Sequence, residues 1–349
     1  MVRFRASGAR ERYLPRVLRR WVRRLTMIGT HAVIWGSIVG LVPLWLPLVG
    51  LHDLVRRNRG AGLRMMVLLG TFSLAELLGV LGAGVIWLRH ALGRSLGSDR
   101  WLEDNYRLQQ RWTSALLGAA IRVLRLSFEV EGDATAVPGP VVVLMRHTSM
   151  LDTVLPVVFL GARHQLRLRY VLKTELQFDP CLDIVGNRLP NYFVDRAGTT
   201  PRELEALGRL ADGLGPRDGA LIYPEGTRFS VGKLARAKEK LAATNPELHE
   251  LAAGLRRVLP PRPGGALTLL DRALPQGADV VVFTHSGLER LVSWRDMVSG
   301  EAIGTTVRVK IWRVSGAEVP ASREQRLHWL FDRWHEIDAL AVRHEADEA

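Results

Sequence analysis

Cysteine is almost missing from the chain: Cys181 stands alone among 349 residues. A single thiol closes no intramolecular disulfide and builds no cysteine zinc cluster. That excludes a disulfide-framed secreted scaffold and leaves packing as the expected role of the side chain. Lysine is scarce too, with 5 lysines against 43 arginines, a skew that a GC-rich coding genome produces without functional demand. Several catalytic signatures are also absent. There is no Gly-x-Ser-x-Gly elbow for an acylated serine, no phosphate-cradling Walker loop and no Gly-x-Gly-x-x-Gly after a strand. His335-Glu336 is followed by Ala339 where a zinc peptidase needs its second histidine. No fixed-period repeat occurs. What remains, 47% hydrophobic and 24% charged residues with dispersed proline and glycine, is the composition of a folded protein. Its length suits one large domain with appendages, or two domains.

Formal net charge is +13, and its position matters more than its size. Nine arginines and one glutamate precede Leu25, so most of the excess lies in a short N-terminal arm. Such an arm fits anionic headgroups or a topology signal better than nucleic acid. From Leu25 to Leu51 there is no Asp, Glu, Lys or Arg, and from Met65 to Leu88 the only charge is Glu76. Each run exceeds the roughly 18 to 20 apolar residues that cross a bilayer core, and both outlast the roughly 7 to 15 of a signal peptide. The two runs predict an antiparallel membrane hairpin. It is transmembrane, or re-entrant and interfacial if Pro43 and Pro47 break the first helix. Arg56, Arg57, Arg59 and Arg64 lie in the connection, but the positive-inside bias favours a cytosolic N-terminus. Either arrangement returns the rest of the chain to the cytosolic side. A transport pathway would need a second buried charge, so Glu76 is expected to bond His31 or to pack beside Gly79 and Gly82.

After a charged helical linker, short β-branched runs alternate with helical spacing. Strands are predicted over Val141 to Met145, Arg167 to Leu172, Tyr192 to Val194, Ala220 to Tyr223, Val280 to Thr284 and Thr306 to Val314. Helices are predicted over Met150 to Leu160, Pro201 to Leu214, Lys233 to Leu255 and Leu267 to Ala273. This alternation means an α/β fold, a mixed sheet covered by helices. The tail from Arg323 to His344 carries Leu327, Leu330, Phe331, Trp334, Ile337 and Ala341 at helical spacing, an amphipathic stripe expected to pack.

Polar clusters follow four of these strands. His147 leaves the first, and Asp152 lies five residues later in the first turn of the next helix. A carboxylate there can fix one imidazole tautomer and stabilise the imidazolium that forms when the other nitrogen takes a proton, which is a general-base dyad. Tyr223-Pro224-Glu225-Gly226-Thr227-Arg228 follows an apolar strand. Its glycine allows close backbone approach to a ligand, and Arg228 offers a planar fork for phosphate oxygens. Phe193-Val194-Asp195-Arg196 ends a third strand, and Lys173-Thr174-Glu175-Leu176 a fourth. Ligands of open α/β sheets collect at such strand ends, so the clusters imply one shared site.

Taken in chain order, these blocks resemble the lysophospholipid and glycerolipid acyltransferase family, which includes bacterial 1-acylglycerol-3-phosphate acyltransferases. His147 to Asp152 matches the family's His, four residues, Asp block, and Lys173 to Leu176 with Pro180 and Gly186 matches its Lys-x-Glu-Leu stretch. Phe193 to Arg196 and Pro224 to Arg228 match the second and third motifs. The last, proline-containing block should fall near Val280 to Thr284, where that proline is absent. The resemblance implies an acyltransferase α/β domain over residues 127–320 with an N-terminal helical membrane element and no metal. Around it lie a basic cytosolic arm (1–24), a two-helix membrane hairpin (25–88), a helical linker (89–126) and a C-terminal amphipathic helix (321–349). It implies acyl transfer from acyl-CoA or acyl carrier protein, as co-substrate rather than cofactor, to the free hydroxyl of 1-acylglycerol-3-phosphate at the cytoplasmic face of a bacterial plasma membrane. In this reading His147 is the base and Asp152 orients it. Lys173, Arg196 and Arg228 clamp the acceptor phosphate, with Glu225, Gly226 and Thr227 completing the acceptor site. Phe229, Ser230 and Lys233, and Pro261-Arg262 before Gly264-Gly265, look more like longer eukaryotic-type members, so another lysophospholipid or a glycolipid is the alternative acceptor. A non-catalytic lipid-binding scaffold would have no use for both His147 and Asp152.

Overall fold

The computed structural model describes residues 7–194, 200–291 and 294–346. One seven-stranded sheet forms its centre, built from β1 (Ser127–Glu131), β2 (Val141–Met145), β3 (Arg167–Lys173), β4 (Tyr192–Val194), β5 (Asp218–Ile222), β6 (Asp279–Ser286) and β7 (Thr306–Val314). Their order is β1-β7-β6-β2-β5-β3-β4. The block from β6 to β4 is parallel, and only β7 runs antiparallel to its neighbour β6. β2 is apolar at every position because helices cover both its faces, as a central parallel strand requires. Its side chains alternate between two cores: Val141, Val143 and Met145 enter one, Val142 and Leu144 the other.

The first core is closed by α3 (Ala61–Leu92) and α4 (Asp99–Leu124), through Ala61, Met65, Leu117 and Leu124. α4 occupies most of the stretch expected to be a helical linker, and its inner face belongs to this core. α5 (Pro180–Gly186) packs on both of them, with Cys181 against Gly79. The second core lies under α6 (Pro201–Gly208), α7 (Val231–Thr244), α8 (Pro246–Ala252), α9 (Pro263–Ala273) and α11 (Arg323–Ala346); the short α10 (Trp294–Ser299) precedes β7. α6 starts where Pro201 predicted, with Thr200 and Glu203 forming a reciprocal capping box. The stripe of α11 is buried: Leu330, Phe331, Trp334 and Ile337 are at most 1% exposed.

The N-terminal run is broken. α1 (Ser7–Gly40) meets α2 (Val42–Arg56) at a 77° bend. Pro43 has no N–H to continue α1 and its ring would clash with the preceding turn, and Trp45 braces the corner by donating to the Ile38 carbonyl. Among the described residues, α3 alone is long and apolar enough to cross a bilayer, and the bent pair qualifies only if taken as one span. Glu76 accepts from the Cys181 backbone N–H at 2.9 Å rather than meeting His31, whose ring lies edge-on to Phe72. Arg23 and Arg24 of α1 pair with the buried Asp183 of α5, tying the basic segment to the sheet domain.

Candidate active site

Because β6, β2, β5, β3 and β4 are parallel, their C-terminal ends share one edge of the sheet. His147 lies just beyond β2, Glu225 to Arg228 beyond β5, and Lys173 closes β3. Arg196, expected beyond β4, lies outside the described residues. The four strand ends singled out in the sequence are therefore neighbours at one edge.

His147 and Asp152 meet. Asp152 is fully buried in a short helical turn, with Oδ1 3.0 Å from His147 Nδ1. Its Oδ2 accepts the backbone N–H groups of Thr148 and Ser149 at 2.5 and 2.7 Å, so the carboxylate folds the loop that carries the histidine. Burial raises the Asp152 carboxyl, but its interactions with His147 and His285 outweigh this and hold it well below the usual carboxylate range. With Nδ1 turned to a permanent anion, Nε2 is left to face a substrate, and the ring is partly open at 13% exposure. Tyr223 packs on it, ring centres 4.7 Å apart, and sends its hydroxyl to the Asp152 carbonyl at 3.3 Å.

Glu225, expected beside the acceptor, lies beneath the loop. It is buried, and its two oxygens accept the backbone N–H groups of His147 at 2.9 Å and Leu259 at 3.0 Å. Burial pushes its carboxyl up to about 8 although both N–H donors and Arg146 favour the charged form. In this position it braces the histidine loop against the chain following α8. Gly226 takes φ +66°, disfavoured for residues with a side chain, and a Cβ there would meet Arg262 Cδ at 3.2 Å. Thr227 and the Arg228 carbonyl both accept from Lys233 Nζ, at 3.2 and 2.8 Å. Lys173, Thr227 and Arg228 are all half-buried along this edge.

Two buried residues beside this pair were not singled out in the sequence. Arg146 is wholly buried behind the histidine, donating to the carbonyls of His285 and Arg257 and to Glu289. His285, near the end of β6, is also buried, with Nε2 3.4 Å from Asp152 Oδ2. Its signal was a histidine closing the apolar run Val280 to Phe283, a costly place for an imidazole without a partner.

Residues 127–249 match the protein-family model described as Acyltransferase. Among solved structures, the chain is similar to a 1-acyl-sn-glycerophosphate (LPA) acyltransferase, PlsC, from Thermotoga maritima. Identity is 17%, coverage is 76% of this chain and 97% of that one, and the TM-score is 0.44. No curated protein matches the sequence.

Proposed function

From the premise that the chain carries a domain of the acyltransferase family, we propose that it transfers an acyl group from acyl-CoA to the free hydroxyl of 1-acylglycerol-3-phosphate, forming phosphatidic acid. The observation that carries the reading is the His147–Asp152 pair: a partly open imidazole, its inner nitrogen held by a buried carboxylate, at an edge that also bears Lys173 and Arg228. The acceptor oxygen attacks the thioester carbonyl carbon while His147 Nε2 removes its proton, contributing roughly 10²- to 10⁴-fold by general-base catalysis. Collapse of the tetrahedral intermediate breaks the carbon–sulfur bond, and the imidazolium returns the proton to the departing thiolate. Asp152 keeps the proton of neutral His147 on Nδ1 and stabilises the cation between the two transfers. Arg228 and Lys173 hold the acceptor phosphate, so binding energy is spent on aligning hydroxyl and thioester.

The test is thiol release from long-chain acyl-CoA by detergent-purified protein offered lysophosphatidic acid, lysophospholipids with larger headgroups, and glycerol 3-phosphate in parallel. Release that depends on lysophosphatidic acid is expected. Release with only a larger headgroup would keep the chemistry and replace the acceptor, whereas silence with every acceptor would sink the reading. Arg228→Ala should raise the lysophosphatidic acid KM about tenfold or more with a smaller change in kcat, the pattern of lost phosphate binding. An unchanged KM would remove Arg228 from the clamp.

For the N-terminal helices we propose an embedded rather than a spanning arrangement, with the catalytic edge on the cytoplasmic side. The turn between α2 and α3 lies on the same body as the sheet: Asn58 donates to the Val298 carbonyl, Arg59 to that of Ile303 and Arg64 to that of Val123. The far end of α3 is tied to it as well, by His90 bonding Asp104 of α4. A spanning α3 would separate these two ends by about 30 Å of hydrocarbon. Leu25 and Val33 of α1, Leu44 and Leu51 of α2, and Leu81 and Val85 of α3 are exposed and supply the lipid-facing surface. Single cysteines at Arg56 and Glu324, placed in a Cys181→Ser background, should react with an impermeant maleimide from the same side of sealed vesicles. Labelling from opposite sides would show that the helices cross.

A further inference from the structure

We infer that His285 is a positioning residue for the reaction, the second imidazole on Asp152, and that it tunes the carboxylate on which His147 depends. The inference rests on the acyl-transfer reading for its kinetic consequence and on geometry alone for its assignment.

Strand register brings the two histidines together. β2 and β6 are parallel neighbours with Met145 opposite Phe283, so His147 and His285 each stand two residues beyond a paired position. Asp152 lies between them: Oδ1 faces His147 Nδ1 at 3.0 Å, and Oδ2 is 3.4 Å from His285 Nε2. The second distance is long, and neither nitrogen of His285 makes an aligned hydrogen bond to any described group. A fully buried imidazole carries a desolvation cost, and the Asp152 carboxylate stands at contact distance to offset it. With its proton on Nε2, His285 presents a donor to Oδ2, which already accepts Thr148 and Ser149 N–H. Oδ2 thus accepts two backbone donors and faces His285 at 3.4 Å, and Oδ1 is left for His147.

The other charged and titratable groups at this point are Arg146, which bonds the His285 carbonyl, Glu289, paired with Arg146, and Glu225 and Tyr223 beyond β5. Arg146 and Glu289 offset each other, and Tyr223 reaches only the Asp152 carbonyl, so His285 is the nearby side chain able to share the Asp152 charge with His147. Removing its donor leaves more of that charge to hold His147 in the protonated form. His147 then becomes a free base only at higher pH.

The experiment compares His285→Phe, which keeps a planar ring and loses the donor, with His285→Gln, which keeps a donor. His285→Leu, less bulky than phenylalanine, serves as a second donor-free variant should the phenylalanine not fold. In the donor-free variant kcat should fall roughly tenfold with acceptor KM within about twofold, and the acid limb of the kcat/KM profile should move to higher pH. His285→Gln should restore both. Histidine-selective labelling supplies a readout that needs no substrate: the His147 resonance, assigned by its loss in His147→Gln, should titrate at higher pH in the donor-free variant. A His147 titration and an acid limb unmoved by donor removal, or a glutamine variant as impaired as the phenylalanine one, would overturn the assignment. A wild-type protein that turns over no acceptor would instead sink the acyl-transfer reading, and the titration would still decide the role of His285.

Discussion

His147→Ala is expected to lower acyl transfer by about 10²- to 10⁴-fold, which corresponds to roughly 3 to 5 kcal/mol of transition-state stabilisation. In the proposed reaction the acceptor is an alcohol whose proton must leave as the carbon–oxygen bond forms. Besides His147, the titratable groups at this point are occupied or enclosed: Asp152 accepts two backbone N–H groups, Glu225 two more, Arg146 bonds two carbonyls and Glu289, and His285 is wholly buried behind Asp152. None of them can take over as base. Stability should change little by comparison, because the ring is not fully enclosed and its main apolar contact is Tyr223, a pair worth about 0.5 to 1.5 kcal/mol. Acceptor KM should stay near its wild-type value, since the clamp comes from other strand ends. Added imidazole should restore part of the rate by entering the vacated space beside Tyr223. Single-turnover thiol release at saturating acceptor, with thermal unfolding as control, is the measurement. Turnover within tenfold of wild type in a folded variant would end the general-base assignment.

The sequence disclosed this site more fully than it disclosed the scaffold around it, for physical reasons. β2, β5 and β6 are buried on both faces, so they stand out as short apolar runs, and polar residues at their ends are conspicuous. β1 went unread because it lies at the sheet edge with alternating exposure, and Ser127–Glu131 shows no apolar run. Local spacing also revealed the loop from His147 to Asp152, whose bonds close within five residues. What spacing cannot show is strand order. The approach of β6 to β2 is set by the packing of everything between them, and with it come the Arg146 bond to the His285 carbonyl, 139 positions along the chain, and the His285 contact with Asp152. The bonds of Glu225 were hidden in the same way. Its motif position suggested a ligand, but its partners, the N–H groups of His147 and Leu259, come from segments 78 and 34 residues away. The N-terminal runs were legible as apolar and the break near Pro43 was an open alternative. That α3 lies along α4 and α5 depended on small residues meeting distant ones, as Gly79 meets Cys181.

Asp152→Asn should be nearly as damaging as loss of the histidine, with a rate reduction of about 10³- to 10⁴-fold, similar to the tautomer-trapping substitution in serine-protease triads. The outcome depends on which atom of the amide can occupy which place. Oδ2 accepts from Thr148 and Ser149, so an asparagine must keep its carbonyl oxygen there. The reverse orientation would set an NH₂ group against two backbone donors, leaving each buried N–H unsatisfied at about 1 to 3 kcal/mol. The retained orientation aims the NH₂ at His147 Nδ1, which must then accept. The imidazole proton is forced onto Nε2, the nitrogen that has to take the proton of the acceptor hydroxyl. Loss of the carboxylate charge also removes the stabilisation of the imidazolium across the 3.0 Å contact. Both effects act on the chemical step, so kcat should fall while acceptor KM holds. Raising the pH should not recover the rate, because the neutral ring is already in the wrong tautomer. Asp152→Ala is the less informative change, since it strips the loop of its internal acceptor and loosens His147 as a whole. A variant that folds, binds acceptor normally and keeps more than a tenth of the wild-type kcat would mean that the carboxylate builds the loop without directing the proton.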